Sequence, residues 1–355
     1  MKIAIYSPSL NEEKNAQAWA DSCAEADYRV VCDTGSTDET KHILSQAGVT
    51  VYDICVKPWR FDDAYNICMS LVPADADVLI CLHMDERLEP GWRQKLEAAW
   101  TPGTTRLRYT YVWNWMPDGS PGKTWWGDRI HGRMGYRWLG ATHEGLCSRL
   151  PEQQGMCAEF RILHYPESKH KAGDLSLLQE AVKENPHDAR MKAYLGREYM
   201  YRGMLQESVS TYKEFLTMPS WNVERGLAMQ NLAKVDADNK IYWLKSACLE
   251  TPTHREPQVE LARHYYTQAD WSNCLKHAQQ ALEITQHPMD YTCDEDAWSW
   301  LPHDLAAIAS WNLGLRQEAV VHARRACELN PVDQRLKNNL SVISDWFDKE
   351  GVSKP

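Results

Sequence analysis

The sequence predicts an α/β unit built on a mostly parallel sheet, followed by an all-α unit of helical repeats. Three observations predict it. Strand and helix signals alternate over the first hundred residues, strand signals vanish after about Ser168, and small residues then recur at the spacing of packed helical hairpins. A chain of 355 residues exceeds what a single core usually holds, which agrees with two domains, at 1–170 and 171–355. Hydrophobic residues make up 43% and charged residues 25%, a globular balance that excludes a disordered or collagen-like chain. No apolar run approaches the roughly 18 residues of a spanning helix, so membrane insertion is not expected.

The elements follow in order. Lys2–Ser7 is a short apolar run ending at Ser7-Pro8, and it reads as a first strand rather than as a signal peptide. Asn15–Ala24 has helical character, and Arg29–Cys32 is a β-branched run ending at Asp33. Ser36-Thr37-Asp38-Glu39 fits a capping box and predicts a helix start there. Val49–Cys55 and Val78–Leu82 read as strands, and Asp62–Leu71 reads as a helix between them. Ligands of such sheets bind beyond the carboxyl ends of the strands. The polar clusters Ser7-Pro8-Ser9, Asp33-Thr34-Gly35-Ser36 and His83-Met84-Asp85-Glu86 all fall at those ends.

The net charge of −10 argues against bulk nucleic-acid binding. Between Thr104 and Leu150, however, seven basic residues stand against three acidic ones, interleaved with Trp113, Trp115, Trp125, Trp126 and Trp138. This segment is either a site for an anionic ligand or a core sheet with solvated arginines. Sixteen Trp against four Phe also makes stacking platforms possible. Eleven cysteines, an odd number without CxxC pairs and with no export signal, point to reduced thiols in a cytoplasmic protein.

In the second half, Tyr194-Leu195-Gly196-Arg197-Glu198-Tyr199 matches the core of a tetratricopeptide repeat. Further copies run through Leu261–Tyr265, Cys274, Ala278 and Ala281, and through Ala307, Gly314, Ala319, Ala323 and Ala326. Trp221–Pro252 reads as a degenerate copy, and an insert near His287–Leu301 reads as a loop or an extra turn.

Three blocks carry a wider resemblance. They are Ser9-Leu10-Asn11-Glu12-Glu13-Lys14-Asn15, Val31-Cys32-Asp33-Thr34-Gly35-Ser36-Thr37-Asp38-Glu39-Thr40 and Leu82-His83-Met84-Asp85-Glu86-Arg87-Leu88. In this order they resemble the blocks of a family 2 glycosyltransferase joined to C-terminal tetratricopeptide repeats. The resemblance implies a GT-A nucleotide-diphospho-sugar transferase domain, a UDP-sugar donor and Mn²⁺ or Mg²⁺. It implies donor contacts from Ser7, Pro8, Ser9, His83 and Met84, and from Asp33 to the uracil or ribose, with a turn or capping role as the lesser alternative for Asp33. Asn11 and Glu12 either border the nucleoside or start the following helix. Asp85 is the metal ligand of the family's D-x-D motif, whose first Asp is replaced here by His83. Glu86 is a weaker donor contact or a helix cap.

Gly140–Leu146 resembles the family's H-E segment, which makes Glu144 the expected acceptor base and Asp128 the runner-up. A salt bridge to a nearby arginine is the competing role for Glu144. His164 stands where related enzymes place a histidine on the metal or diphosphate, with His143 as the alternative. Arg129 and Arg133 are candidates for the diphosphate, and Trp125 and Trp126 for stacking on a sugar or an aromatic acceptor. The expected reaction is inverting transfer to a hydroxyl or thiol of a peptide, protein or polysaccharide. Two alternatives remain, a hydroxylated base in viral DNA as acceptor and a catalytically lapsed interaction scaffold. Donor sugar and oligomeric state are not legible.

Overall fold

The structure is a computed structural model that describes residues 1–116, 118–166 and 175–350. Contacts divide the chain into two compact units, Met1–Tyr194 and Leu195–Pro355. The boundary expected at 170/171 lies outside the described residues.

The first unit runs β1 (Ile3–Ser9), α1 (Glu13–Ser22), β2 (Tyr28–Asp33), α2 (Thr40–Gln46), β3 (Thr50–Asp53), α3 (Phe61–Leu71) and β4 (Val78–Cys81). It continues with β5 (Glu86–Leu88), α4 (Trp92–Ala99), β6 (Arg106–Val112), β7 (Thr124–Gly132), β8 (Tyr136–Leu139), β9 (Gly145–Ser148) and β10 (Gln154–His164). Eight of these strands form one sheet in the order β3-β2-β1-β4-β7-β6-β10-β5. The half made by β1 to β4 is parallel, as expected. The other half is mixed, because β7 runs antiparallel to both β4 and β6, and β5 antiparallel to β10.

Alternating side chains give the sheet two buried faces. Ile3, Ile5, Val31, Val78 and Ile80 pack under Trp19 of α1, Leu44 of α2, and Trp92 and Leu96 of α4. Ala4, Tyr6, Cys32, Leu79 and Cys81 face Tyr65 and Cys68 of α3, with Tyr136, Trp138 and Leu146 from the β8–β9 hairpin. Several tryptophans are therefore core residues with satisfied N–H groups, not ligand platforms. Trp19 donates to Leu82 O at 3.1 Å, Trp92 to Ser22 O at 3.1 Å and Trp138 to Tyr6 Oη at 2.8 Å. The capping box does not form. Ser36 Oγ accepts from the Asn11 N–H at 2.8 Å instead, and Asp38 receives the Thr40 N–H at 3.1 Å. No disulfide joins the described cysteines.

Helices α5 (Leu175–Glu184) and α6 (Ala189–Tyr201) follow, α6 running across the division at Tyr194. The second unit continues through α7 (Leu205–Phe215), α8 (Asn222–Val235), α9 (Lys240–Glu250), α10 (Glu256–Thr267) and α11 (Trp271–Glu283). It ends with α12 (Glu295–Trp298), α13 (Leu301–Asn312), α14 (Arg316–Leu329) and α15 (Gln334–Glu350). The small residues of the expected repeats are buried: Ser208, Cys274, Ala278, Ala281, Ala307, Ala319, Ala323 and Ala326. The degenerate copy is the α8–α9 hairpin, and the insert holds the single turn of α12.

Gly196 shows why such positions stay small. A Cβ there would meet the Tyr212 ring at 2.9 Å. Gly196→Val is therefore expected to lower the unfolding free energy by about 1–3 kcal/mol through overpacking, measured by denaturant titration. No helix of the described residues is long and apolar enough to cross a membrane.

Candidate active site

Parallel pairing of β2, β1 and β4 brings three strand tips to one edge. Ser9 sits opposite Asp33 in register, and the Leu82 N–H donates to Tyr6 O just beyond β4. Asp33 and the His83–Asp85 turn thus lie at the same carboxyl edge, with the tip of β1 between them.

Asp33 is fully buried. Its Oδ1 accepts the N–H groups of Gly35 at 2.9 Å and Ser36 at 2.7 Å, which fixes the turn. Asn11, at φ +55°, braces that turn by accepting the Thr37 N–H at 2.8 Å. Asp33 Oδ2 and Ser9 Oγ are buried without a hydrogen-bond partner. Two orphaned polar atoms on adjacent strand tips are costly unless a ligand or an ordered water completes them. Ser7 Oγ is spent on Pro8 O at 3.0 Å. Glu12 begins α1: its carbonyl accepts from Asn15 and Ala16, and its carboxylate accepts from the Asn15 side chain at 2.9 Å.

The next layer is a charged network that the sequence did not reveal. Glu86 is fully buried and accepts from Arg129 Nη2 at 2.6 Å, Tyr111 Oη at 2.7 Å and the His83 N–H at 2.8 Å. Burial would raise its pKa, but Arg129, His83 and these hydrogen bonds hold it at about 2. Glu86 is therefore a fixed anchor, not a donor contact or a cap.

Arg129 Nη1 donates to His83 Nε2 at 2.8 Å, and Tyr65 Oη lies 2.9 Å from the same nitrogen. An arginine can only donate, so Nε2 accepts and the imidazole is neutral with its proton on Nδ1. Burial and the Arg129 cation agree with this, pushing His83 down to about 4 against the pull of Glu86. Where the family's pattern has a first Asp, this chain holds a neutral imidazole whose lone pair is already taken.

Asp85 Oδ2 lies 3.3 Å from His164 Nε2, and Asp85 O receives the Tyr165 N–H at 2.8 Å. Burial disfavours both charges, yet their contact lowers the Asp85 pKa and raises that of His164. His164 Nδ1 faces Trp113 O at 2.9 Å, and its ring stacks on Trp113 at 4.4 Å. Trp125 packs on Tyr111 and Trp113. Trp115 donates its indole N–H to His164 O at 3.1 Å and stacks on Tyr165 at 5.3 Å. An aromatic shelf, with Trp113 43% and Tyr165 44% exposed, borders the Asp85–His164 pair.

Glu144 lies in the loop between β8 and β9, and Trp138 of β8 packs on Tyr65 at 4.9 Å. Burial raises the Glu144 pKa to about 7, with Arg129 and Arg190 pulling it down and Asp62 up. Its charge in turn raises the Tyr65 hydroxyl pKa.

Five expected site residues lie elsewhere. Asp128 projects to the opposite face of β7 from Arg129, where it binds Arg106 at 3.2 Å and Arg108 at 3.5 Å. Arg133 is at the far end of β4, because antiparallel pairing places Gly132 against Val78; its guanidinium donates to Val72 O and Pro73 O. Met84 is buried in the core. His143, at φ +48°, stacks on Tyr194 at 4.0 Å. Trp126 lies next to Trp125 on β7 and so on its other face. Tyr65 and Tyr111 were missed as site residues, and Glu86 was expected in another role. The only signal for the two tyrosines was their polar tips at helix and strand positions of the core.

The edge thus offers an acceptor for a nucleoside, a carboxylate–imidazole pair able to hold a hard divalent cation, a buried guanidinium and a carboxyl group that titrates near neutrality. No family model and no curated protein matches the chain. Among solved structures, TarS of S. aureus is 12% identical, with a TM-score of 0.41 over 68% of this chain and 54% of its own. Glucosyl-3-phosphoglycerate synthase from Mycobacterium tuberculosis, in complex with Mn²⁺, UDP and phosphoglyceric acid, is 22% identical, with a TM-score of 0.28 over 31% and 43%. A thermophilic TPR protein of Thermus thermophilus is 18% identical, with a TM-score of 0.32 over 48% and 88%. The chain spans about half the length of TarS. The solved structures to which the chain is similar thus include glycosyltransferases and tetratricopeptide-repeat proteins, each at low TM-score and partial coverage.

Proposed function

We propose that the chain is an inverting glycosyltransferase that uses a UDP-sugar and a divalent cation. The observation that carries this reading is the pair of buried, partnerless atoms Asp33 Oδ2 and Ser9 Oγ on adjacent strand tips. A uracil or ribose supplies the donors and acceptors they lack.

Asp85 and His164, 3.3 Å apart, would hold Mn²⁺ or Mg²⁺, and a cation held there would supply positive charge against that developing on the leaving diphosphate. Arg129, fixed by Glu86 and His83, adds a second positive charge that needs no reorganisation. Glu144 takes the proton from the acceptor hydroxyl or thiol as the new bond to C1 forms and the C1–O bond to the diphosphate breaks. A base titrating near 7 is matched to that task. The shelf of Trp113, Trp115 and Tyr165 offers a stacking face for an acceptor or sugar.

The acceptor is read as a peptide, protein or polysaccharide. We favour these over DNA because Arg106, Arg129 and Arg133 of the basic segment are engaged inside the unit. A release assay with a panel of UDP-sugars and Mn²⁺ tests the activity. Turnover of one donor supports it, and no turnover with any favours the lapsed scaffold. Asp33→Asn keeps one oxygen for the turn but puts an amide where Oδ2 accepts. It is expected to weaken UDP binding about 10- to 100-fold, read by calorimetry, with the melting temperature little changed.

A further inference from the structure

The insert between α11 and α13 is tied to the turn between α9 and α10. Arg255 Nε donates to Ile284 O at 2.8 Å, and its guanidinium lies 4.6 Å from the Trp298 ring centre. Glu256 Oε1 accepts the Asp294 N–H and the Trp298 indole N–H, each at 2.8 Å. Under these ties His254 Nε2, a carboxylate oxygen of Asp290 and Cys293 Sγ all lie within 4.8 Å of one another, with His254 and Cys293 buried.

We propose that His254, Asp290 and Cys293 form a zinc site that clasps the insert to the repeat. The donor set is a thiol, an imidazole and a carboxylate, a mixture that suits Zn²⁺ and suits hard Mg²⁺ poorly. The atoms are close to the required spacing. His254 Nε2 to Asp290 Oδ2 is 2.9 Å and Cys293 Sγ to Asp290 Oδ1 is 3.8 Å, against about 3.3–3.5 Å between ligands of a tetrahedral zinc. The outer groups are already oriented. Thr253 Oγ1 lies 3.2 Å from His254 Nδ1, and Thr292 gives Asp290 Oδ1 its N–H at 2.9 Å and its hydroxyl at 2.6 Å.

A second observation points the same way. Glu256 Oε2 is buried with no hydrogen-bond partner, in a carboxylate two residues along the chain from His254. A dication nearby would compensate that charge. On binding, the Cys293 S–H proton, now aimed at Pro288 O at 3.2 Å, leaves to solvent as the Zn–S bond forms, and the proton that His254 Nε2 now gives to Asp290 leaves that nitrogen, to solvent or by tautomerisation to Nδ1 beside Thr253 Oγ1, as the Zn–N bond forms. The site lies wholly in the helical unit and is independent of the transferase reading.

The test uses the full chain, stripped with a chelator and titrated with Zn²⁺ and with Co²⁺. The expected results are one zinc per chain by elemental analysis, a melting temperature that climbs with zinc concentration, and a thiolate-to-cobalt charge-transfer band in the near ultraviolet. Cys293→Ser and His254→Ala should lose the band and the tight equivalent, while Asp85→Ala keeps both. The proposal is overturned if the stripped wild-type chain shows no such band and no zinc-dependent stabilisation. It is also overturned if Cys293→Ser retains the band, and the wild-type spectrum decides the matter should the variants fail to fold.

Discussion

Glu144→Gln is expected to reduce kcat by about 10²- to 10⁴-fold, the usual contribution of a positioned general base, with KM for the donor nearly unchanged. The pH profile gives the sharper readout. In the wild type kcat should rise with pH and level off above about 7, where Glu144 becomes ionised. The variant should lose that limb. Stability moves the other way. An acid whose pKa is raised from 4.5 to about 7 on folding penalises the native state at pH values above 4.5, and the penalty is complete above about 7. Glu144→Gln removes the ionisable group. Its melting temperature should therefore match the wild type near pH 4.5 and exceed it at pH 8. An inactive but stabilised variant is what a base held in a desolvated hollow predicts. A carboxylate serving only as a salt-bridge partner would predict destabilisation instead.

Asp85→Ala is expected to abolish metal-dependent turnover, a loss of about 10³-fold if the cation supplies roughly 4 kcal/mol of transition-state stabilisation. The same substitution deprives His164 of the hydrogen bond and charge that raise its pKa against the effect of burial. His164 should then titrate at lower pH in the variant, followed by its imidazole resonances in NMR. This second readout separates a local electrostatic effect from general unfolding, because the Trp113 stack and the Nδ1 contact to Trp113 O do not depend on Asp85.

The sequence showed what is local. β1, β2 and α3 lie within two residues of their expected ends, because each is a short apolar run closed by Pro, Asp or a polar loop. Asp33, Asp85, Glu144 and His164 could be singled out because each sits in a motif of contiguous residues. Long-range pairing hid the rest. Arg129 and Arg133 look alike in sequence, four residues apart in one basic segment. Antiparallel pairing of β7 with β4 sends the first to the carboxyl edge and the second to the opposite one. Asp128 and Arg129 are neighbours, yet strand alternation sends them to opposite faces. Met84 stands inside a polar motif and still packs into the core. The His83–Arg129–Glu86 network joins residues more than 40 positions apart, so the role of His83 emerged only from the geometry. The position is filled by an imidazole that fixes a buried cation.

The claim on which the transferase reading depends is that the strand tips form one hollow for a nucleoside diphosphate and a cation. Calorimetry of the wild-type chain with UDP, with and without Mn²⁺, tests it most directly. The account predicts one UDP per chain, bound more tightly with Mn²⁺ than without, and a Mn²⁺ enhancement that disappears in Asp85→Ala. Absence of UDP binding at any Mn²⁺ concentration, or an enhancement that survives Asp85→Ala, would contradict it.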